Sequence, residues 1–500
     1  MQDYKIIFLL FFISLSASGQ PDKKMDYTWA LGYDKSGIDS NFGGNNLNFL
    51  RKLNQKYSNR IHEIIYQSAS YCDLKGNILY HSNGCAIYDD QNRLISNGDS
   101  ISFGKLWGSC PLYNAENQNS YFLKVMDNDS LIVYIKGIFD TIGEGKQFYR
   151  KGLQENIIDH TNKSLIVKNR MILYDTLAGE GFSILPAFAK NEYWLITPQL
   201  GNNRIWILYY TINGIKSAIE QSIGFPQHPD NSGNGQGCFS MDGKKYAHYN
   251  TANGLQIFDF DRATGVLSNA KYLPLKNYDR AYGGCCFSPN SKYLYINTPL
   301  EVLQIDVDNP SMESIDTVGK FDNFYDPYPT TYFHMAHAPD CRIYISCPSG
   351  NQFFHVILYP NRKGKACQLV NRGLKLLTRN GDATPLFPHY RIDEAYPCDS
   401  SILLDVNWTT DLQDIQLNFS IHVYPNPTQD QVNFDLGDHY FKGLILFYDL
   451  LGNEKKRVRL TETMNQFQID LSSLENGIYY YSIWDEKQDR TAFGKIQVQR

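Results

Sequence analysis

Short runs of alternating apolar and polar residues fill most of this chain, and clusters of turn residues break them at roughly eight- to twelve-residue intervals. Leu255, Ile257, Phe258 and Phe260 form one such run before the turn Asp261 to Gly265, and Val302, Ile305 and Val307 form another. Alternation rich in aromatic and β-branched residues predicts half-buried strands, and Gly, Asn and Asp between them predict tight turns. No long segment carries the 3.6-residue apolar period of an amphipathic helix. The pattern therefore predicts an all-β chain.

The strands recur as a unit. Phe239-Ser240-Met241-Asp242-Gly243 before Tyr246 is echoed by Phe287-Ser288-Pro289-Asn290-Ser291 before Tyr293. Ala338-Pro339-Asp340 before Ile343 is a third copy, and Ala189-Lys190-Asn191 before Tyr193-Trp194 a fourth. Taking Asn191, Asp242, Asn290 and Asp340 as equivalent, the spacings are 51, 48 and 50 residues. A repeat near fifty residues holding several short strands predicts β-propeller blades, because one small sheet cannot bury both faces and needs a neighbour on each side. Asp73 to Tyr80 with Ile87-Tyr88-Asp89 reads as an earlier blade, and Asn119 to Leu123 opens another. The interval from 117 to 191 exceeds one period and is expected to hold an insertion or a degenerate blade. Seven blades are expected, with six and eight open. A closing blade is expected to join the strand at Thr28 to Leu31 to the last strands before Arg391. The repeat resembles WD-type and related propeller repeats over residues 27–395.

Both ends are set apart from that body. Met1 to Gly19 has Lys5, the apolar run Ile6 to Ile13 and small residues up to Gly19, the form of a secretory signal peptide. No cysteine at that junction indicates a lipid anchor, and no other stretch is apolar enough to span a bilayer. At the other end, residues 421–500 hold alternating strands at Val432, Phe434 and Leu436 and again at Phe467, Ile469 and Leu471, which predict a small Ig-like sandwich. Residues 396–420 between the two bodies read as a linker. The last segment also contains Val423-Tyr424-Pro425-Asn426-Pro427-Thr428, Tyr448-Asp449-Leu450-Leu451-Gly452, Gly477-Ile478-Tyr479 and Gly494-Lys495-Ile496. In that order and at the C-terminus, these motifs resemble the type A C-terminal sorting domain of the type IX secretion system. The resemblance assigns the sorting motif to Tyr424, Pro425, Asn426, Pro427, Asp449, Gly452, Gly477, Tyr479 and Lys495. It implies recognition by the outer-membrane secretion machinery, with the cargo released or held at the cell surface after passage through the periplasm.

Composition narrows the chemistry. The net charge of −5 without a basic cluster argues against nucleic acid as a partner. Ten cysteines in an exported chain can form disulfides, and the adjacent pair Cys285-Cys286 is expected to bond elsewhere or remain buried thiols. No Cys-x-x-Cys pair suggests a zinc site. Ser240-Met241-Asp242-Gly243 lacks the spacing and closing Trp of the Asp-box of sialidase propellers, so it reads as a blade turn. His334 and His337 precede a strand, where positions three apart face opposite ways, which disfavours a shared metal. Asp127 and Asp129, and Asp259 and Asp261, lack the oxygen series of a calcium loop. Gly233, Gly235 and Gly237 lack the strand-to-helix setting of a phosphate cradle. No catalytic, cofactor-binding or metal-ligating residue is assigned, and no cofactor is expected. Two functions stand against each other. One is a non-catalytic surface or secreted propeller that binds a protein or glycan. The other is a propeller hydrolase or lyase acting on polysaccharide or peptide, which requires carboxylates to converge at the channel mouth.

Overall fold

The computed structural model describes residues 23–500 except 35–40, 67, 103–109, 111–119, 143–146, 229–234, 276–281, 383, 396, 407–421, 438–439, 450–452 and 486–489. The segment 1–19 and Gly452 lie outside the described residues. The chain divides into two compact units, 1–408 and 409–500.

Unit one is a β-propeller. Seven antiparallel sheets follow one another among the described residues, at 28–58, 69–89, 120–177, 183–222, 236–273, 285–320 and 335–380, here blades 1 to 7. Blades 1 and 2 show three strands and the others four, each a simple meander from the channel outward. Apolar layers fill the gaps between neighbours. Tyr80 and Ile87 of blade 2 pack on Phe122 and Tyr134 of blade 3, and Trp194 and Ile196 of blade 4 pack on Phe239 and Tyr246 of blade 5. Each layer is built by the inward half of two alternating patterns, which is why a blade-length repeat needs a ring.

The ring closes differently from the sequence expectation. The strand Thr28–Gly32 pairs with Gly44–Asn48 inside blade 1, and among the described residues no strand from the end of the unit joins it in a ladder. Instead, Trp29, Leu47 and Phe49 pack against Tyr344, Phe354 and Val356 of blade 7, with Trp29 edge-on to Tyr344 at 5.6 Å. Residues after Asn380 cannot supply a regular strand, because Pro385 and Pro388 remove the donors that a ladder needs. On its other side, blade 1 meets blade 2 through polar contacts: Ser68 Oγ and Ser70 Oγ donate to the Ala30 and Thr28 carbonyls at 2.7 and 2.8 Å. Among the described residues, the long interval from 117 to 191 holds no extra blade. Blade 3 is a four-stranded sheet whose outer strands run to 12, 13 and 14 residues, with register shifts where the extra residues are inserted.

The repeat turns behave as the pattern requires. Asn191, Gly243, Ser291 and Cys341 adopt positive φ at 61°, 67°, 60° and 64°, so the left-handed position falls one residue after Asp242, Asn290 and Asp340. Asp242 accepts from Ser240 Oγ at 2.6 Å and from the Lys244 N–H at 3.1 Å, so it braces its own turn. Residues 397–406, read above as the start of a linker, pack on the propeller. Cys398 is bonded to Cys341, Ile402 is buried with the layer between blades 7 and 1, and the Leu53 N–H donates to the Leu403 carbonyl at 2.8 Å.

Unit two is a β-sandwich. A three-stranded sheet of His422–Tyr424, Gln431–Asp435 and Gln466–Asp470 faces a four-stranded sheet in the order Glu454–Met464, Phe441–Tyr448, Gly477–Asp485, Arg490–Val498. Val432, Phe434, Ile445, Phe447, Tyr481 and Ile483 fill the space between them.

Candidate functional site

The central channel is the first place to look for a site, and it is occupied by the chain itself. The bridge between Ser68 and Pro385 is parallel, so the segment after blade 7 enters beside the start of the innermost strand of blade 2. Tyr390 is buried and its hydroxyl donates to the Phe122 carbonyl at 2.6 Å. Arg391 forms a buried ion pair with Asp26. On the far face, Arg262 holds Asp393 through both guanidinium nitrogens at 2.5 and 2.6 Å. Gln236 adds a crossbar between blades. Its Oε1 accepts from the Cys285 and Met335 N–H groups at 3.0 Å each, and its Nε2 donates to the Met335 carbonyl at 2.7 Å. The void left in the channel is about 80 Å³. That holds a few waters, whereas small-molecule sites run to roughly 300–1,000 Å³.

The entry face, where the innermost strands of blades 2 to 7 begin, carries buried charged groups of its own. Glu180 is buried just before blade 4, accepts from Asn250 Nδ2 at 3.1 Å and lies 3.7 Å from His248 Nε2. Fully buried Arg150 donates to the Ala178 and Gly179 carbonyls at 2.9 Å each, which fixes the segment that carries Glu180.

A second group gathers where blades 7, 1 and 2 meet. Burial and the negative charge of Asp34 push Glu63 above the usual carboxylate range. Burial also pushes Asp382 up to about 6, although its Oδ1 accepts from the Ser349 N–H at 2.9 Å. The Tyr33 phenol is raised by burial first and then by Asp382, Glu63, Tyr66 and Tyr328. Tyr328 and Tyr325 are 52% and 60% exposed on the loop from blade 6 to blade 7. Arg379 ties that loop down by donating to the Asp326 and Gly350 carbonyls at 3.1 and 3.0 Å. These carboxylates are far apart in sequence, at 34, 63 and 382, so no local motif signals them.

For Asp382 the pH effect has a definite sign. A carboxyl whose folded pKa lies near 6, above its unfolded value of 3.8, gives stability that is present below pH 3.8 and lost as pH rises through 6. Asp382→Asn is therefore expected to gain on the wild type by about 2 kcal/mol between pH 4 and pH 8. Thermal unfolding at the two pH values checks this, and equal melting-temperature differences at both would contradict it.

Blade 7 also holds a thiol, an imidazole and a carboxamide in line. Cys347 Sγ is 3.1 Å from His355 Nε2, and His355 Nδ1 is 3.1 Å from Asn371 Oδ1. The spacing is that of a nucleophile, base and orienting group. Both Cys347 and His355 are 1% exposed, however. Burial drives the thiol pKa up and, with the Arg372 charge, drives the imidazole down to about 4. A neutral buried pair is a packing element rather than a nucleophile.

The residues weighed from sequence are scattered among structural roles. His334 is buried and His337 half-buried, with pKa values lowered to about 3 chiefly by desolvation. His337 lines the channel void and His334 does not, and no group of three metal-ligating side chains occurs among the described residues. Asp127 binds Lys190 and Asn191, Asp129 pairs with Lys124 and Tyr71, Asp259 binds Lys245, and Asp261 braces the turn to Gly265. Gly233 lies outside the described residues. Gly237 serves a close approach, since a Cβ there would stand 2.7 Å from Gly181 Cα. Cys285 and Cys286 are buried free thiols.

In the sandwich, two motifs that are seventy residues apart form one structure. Asn426 Nδ2 donates to the Lys495 carbonyl at 2.9 Å and its Oδ1 accepts from the Gln497 N–H at 2.9 Å. The Thr428 N–H donates to the Gln497 carbonyl and the Gln499 N–H to the Thr428 carbonyl, both at 2.8 Å. The peptide bonds before Pro425 and Pro427 are cis. The Tyr424 to Thr428 segment thus covers the free edge of the last strand, which would otherwise invite pairing with another chain. Asp449 accepts from the Asn453 N–H at 2.9 Å in its turn. Tyr479 is buried in the core, Gly477 opens its strand, and Lys495 is exposed. Residues 422–499 match the family described as the secretion system C-terminal sorting domain. The second unit is a type IX secretion sorting domain.

Solved structures similar to this chain include propellers. One is the periplasmic gluconolactonase of Pseudomonas aeruginosa, at 10% identity and a TM-score of 0.35, covering 71% of this chain and 97% of that one. Another is the Dos1 propeller, at 12% identity and a TM-score of 0.31, covering 65% and 91%. A protein of unknown function from Desulfotomaculum acetoxidans gives 12% identity and a TM-score of 0.39, covering 72% and 99%. No curated protein matches the chain. The sorting domain implies export to the cell surface or beyond, and no helix among the described residues is long and apolar enough to cross a membrane.

Proposed function

We propose that this chain is a propeller cargo of the type IX system that binds a protein or glycan through its entry face, without catalysis. The filled channel carries this reading: with Tyr390, Arg391 and Gln236 in place, a void of about 80 Å³ leaves no room there for a substrate. Binding then falls to the rim, where loops on a rigid scaffold are suited to recognition. The exposed rings of Tyr325 and Tyr328 beside Tyr33, Asp34, Glu63 and Asp382 favour a hydroxyl-rich ligand, because rings stack on sugar faces and carboxylates accept from hydroxyls. The test is a glycan and protein array with the full-length chain, with Tyr325→Ala/Tyr328→Ala as the comparison. Binding that falls at least tenfold in the variant is expected, and a blank array would overturn the reading.

One observation favours a second reading. Asp382, pushed up to about 6 by burial, and Glu63, raised by burial and by Asp34, both raise the Tyr33 phenol. Two carboxyl groups around one polar site are what a glycoside hydrolase uses. As a hydrolase acting on polysaccharide, the chain would turn over model glycosides and lose that activity in Asp382→Asn.

For the sorting domain, deletion of residues 422–500 is expected to leave the propeller folded and retained in the periplasm. Cell fractionation checks this, and normal surface delivery of the shortened chain would contradict it.

A further inference from the structure

The sorting domain offers four places where the secretion machinery could take hold, and three of them are already satisfied within the domain. The outward face of the three-stranded sheet is a polar ladder that pairs with itself: Gln466 Nε2 donates to Asp435 at 3.0 Å and Gln468 Nε2 to Asn433 at 3.2 Å. The free edge of the last strand is covered by Asn426 and Thr428. The opposite edge, Glu454–Met464, carries Glu454, Lys455, Arg457 and Arg459, charges of the kind that discourage strand addition.

The outward face of the four-stranded sheet is different. Alternation puts Phe447, Tyr479, Tyr481 and Ile483 inside and leaves Tyr448, Ile478, Tyr480 and Lys495 outside. Tyr448 stands opposite Tyr480, and Tyr480 opposite Lys495, so three adjacent strands present one row. Ile478 and Tyr480 are 37% and 46% exposed. Arg457 on this face is held by Glu454 and Lys455 by Asp449, whereas Lys495, directly opposite Tyr480, has no carboxylate partner among the described residues. An aromatic pair with an unpaired cation beside it is the composition of a docking surface rather than of a solvated sheet.

We propose that the export machinery docks on this row, with Tyr480 as the aromatic anchor and Lys495 beside it facing an acidic groove of a protein component. The proposal rests on the sorting-domain assignment. It divides the motif by role: Asn426, Pro427, Gly477 and Tyr479 build and protect the fold, and Lys495 is read by the partner.

The experiment uses the full-length chain in its native host. Tyr480→Ala and Lys495→Glu are each expected to lower surface delivery at least tenfold while the domain keeps its resistance to limited proteolysis, and Lys495→Arg is expected to restore it. Asn433→Ala/Gln468→Ala on the opposite face is expected to be delivered normally. A photo-crosslinking residue at position 480 is expected to capture an outer-membrane component of the secretion system, identified by mass spectrometry. Normal delivery of both Tyr480→Ala and Lys495→Glu would overturn the proposal. So would crosslinks confined to lipopolysaccharide or to a second copy of the chain. A full-length deletion control for residues 422–500 separates the two failures, since its normal delivery would sink the sorting assignment itself.

Discussion

Tyr390→Ala is expected to destabilise the propeller by about 3–5 kcal/mol, the usual cost of emptying a large aromatic side chain from a packed core. Tyr390 is 4% exposed, sits 6.3 Å from the Tyr71 ring and 6.5 Å from Phe387, and belongs to the apolar layer between blades 2 and 3. Its loss also removes the hydroxyl that the Phe122 carbonyl accepts from. Tyr390→Phe removes only that bond, for about 1 kcal/mol. Urea unfolding of the two variants against the wild type tests the role of the channel segment. If Tyr390→Ala cost no more than Tyr390→Phe, the ring would not depend on its plug.

The second large effect concerns the disulfide between Cys341 and Cys398, which are 57 residues apart. It clamps the segment leaving the channel to a turn of blade 7, so the channel segment lies inside the closed loop. Chain-entropy arguments place the contribution of a loop of this length near 4 kcal/mol. Cys341→Ala/Cys398→Ala is therefore expected to lower the thermal midpoint of the propeller markedly. Adding reductant is expected to reproduce the loss in the wild type and to leave the variant less affected. A midpoint that stays within a degree of the wild type would show that packing of Ile402 and pairing of Leu403 alone secure this segment.

Both effects concern the segment that follows blade 7, which was the part of the fold least legible in the sequence. The alternation at Leu255 to Phe260 and the turns at Asp242 and Asn290 are local, and they signalled blades and their period correctly. Closure is non-local. The strand at Thr28 to Leu31 looks free to pair with anything, and only the prolines at 385 and 388 hint that the last segment cannot be its partner. At blade 3 the sequence left an insertion or a degenerate blade open, because a period measured between turns cannot tell the two apart. The structure shows the insertion, as longer, bulged strands.

The same divide runs through the candidate sites. Lys495 and Asn426 stand in motifs that can be read along the chain, although their roles separate only when one is seen outward and the other clipped across the edge of the last strand. Asp34, Glu63 and Asp382 carry no local signal, and neither does the Cys347, His355 and Asn371 set. Their chemistry depends on burial and mutual distance, which are properties of the folded ring.

By itself, then, the amino-acid sequence determined an all-β propeller of repeated blades and a C-terminal sorting domain, because strand alternation, turn residues and short motifs act over a few neighbouring positions. Tertiary structure alone decided that the channel is filled by the chain's own residues 385–391 and that Asp34, Glu63 and Asp382 gather around Tyr33. Those outcomes come from contacts between segments hundreds of residues apart, where shape and burial select the partner and no local pattern names it.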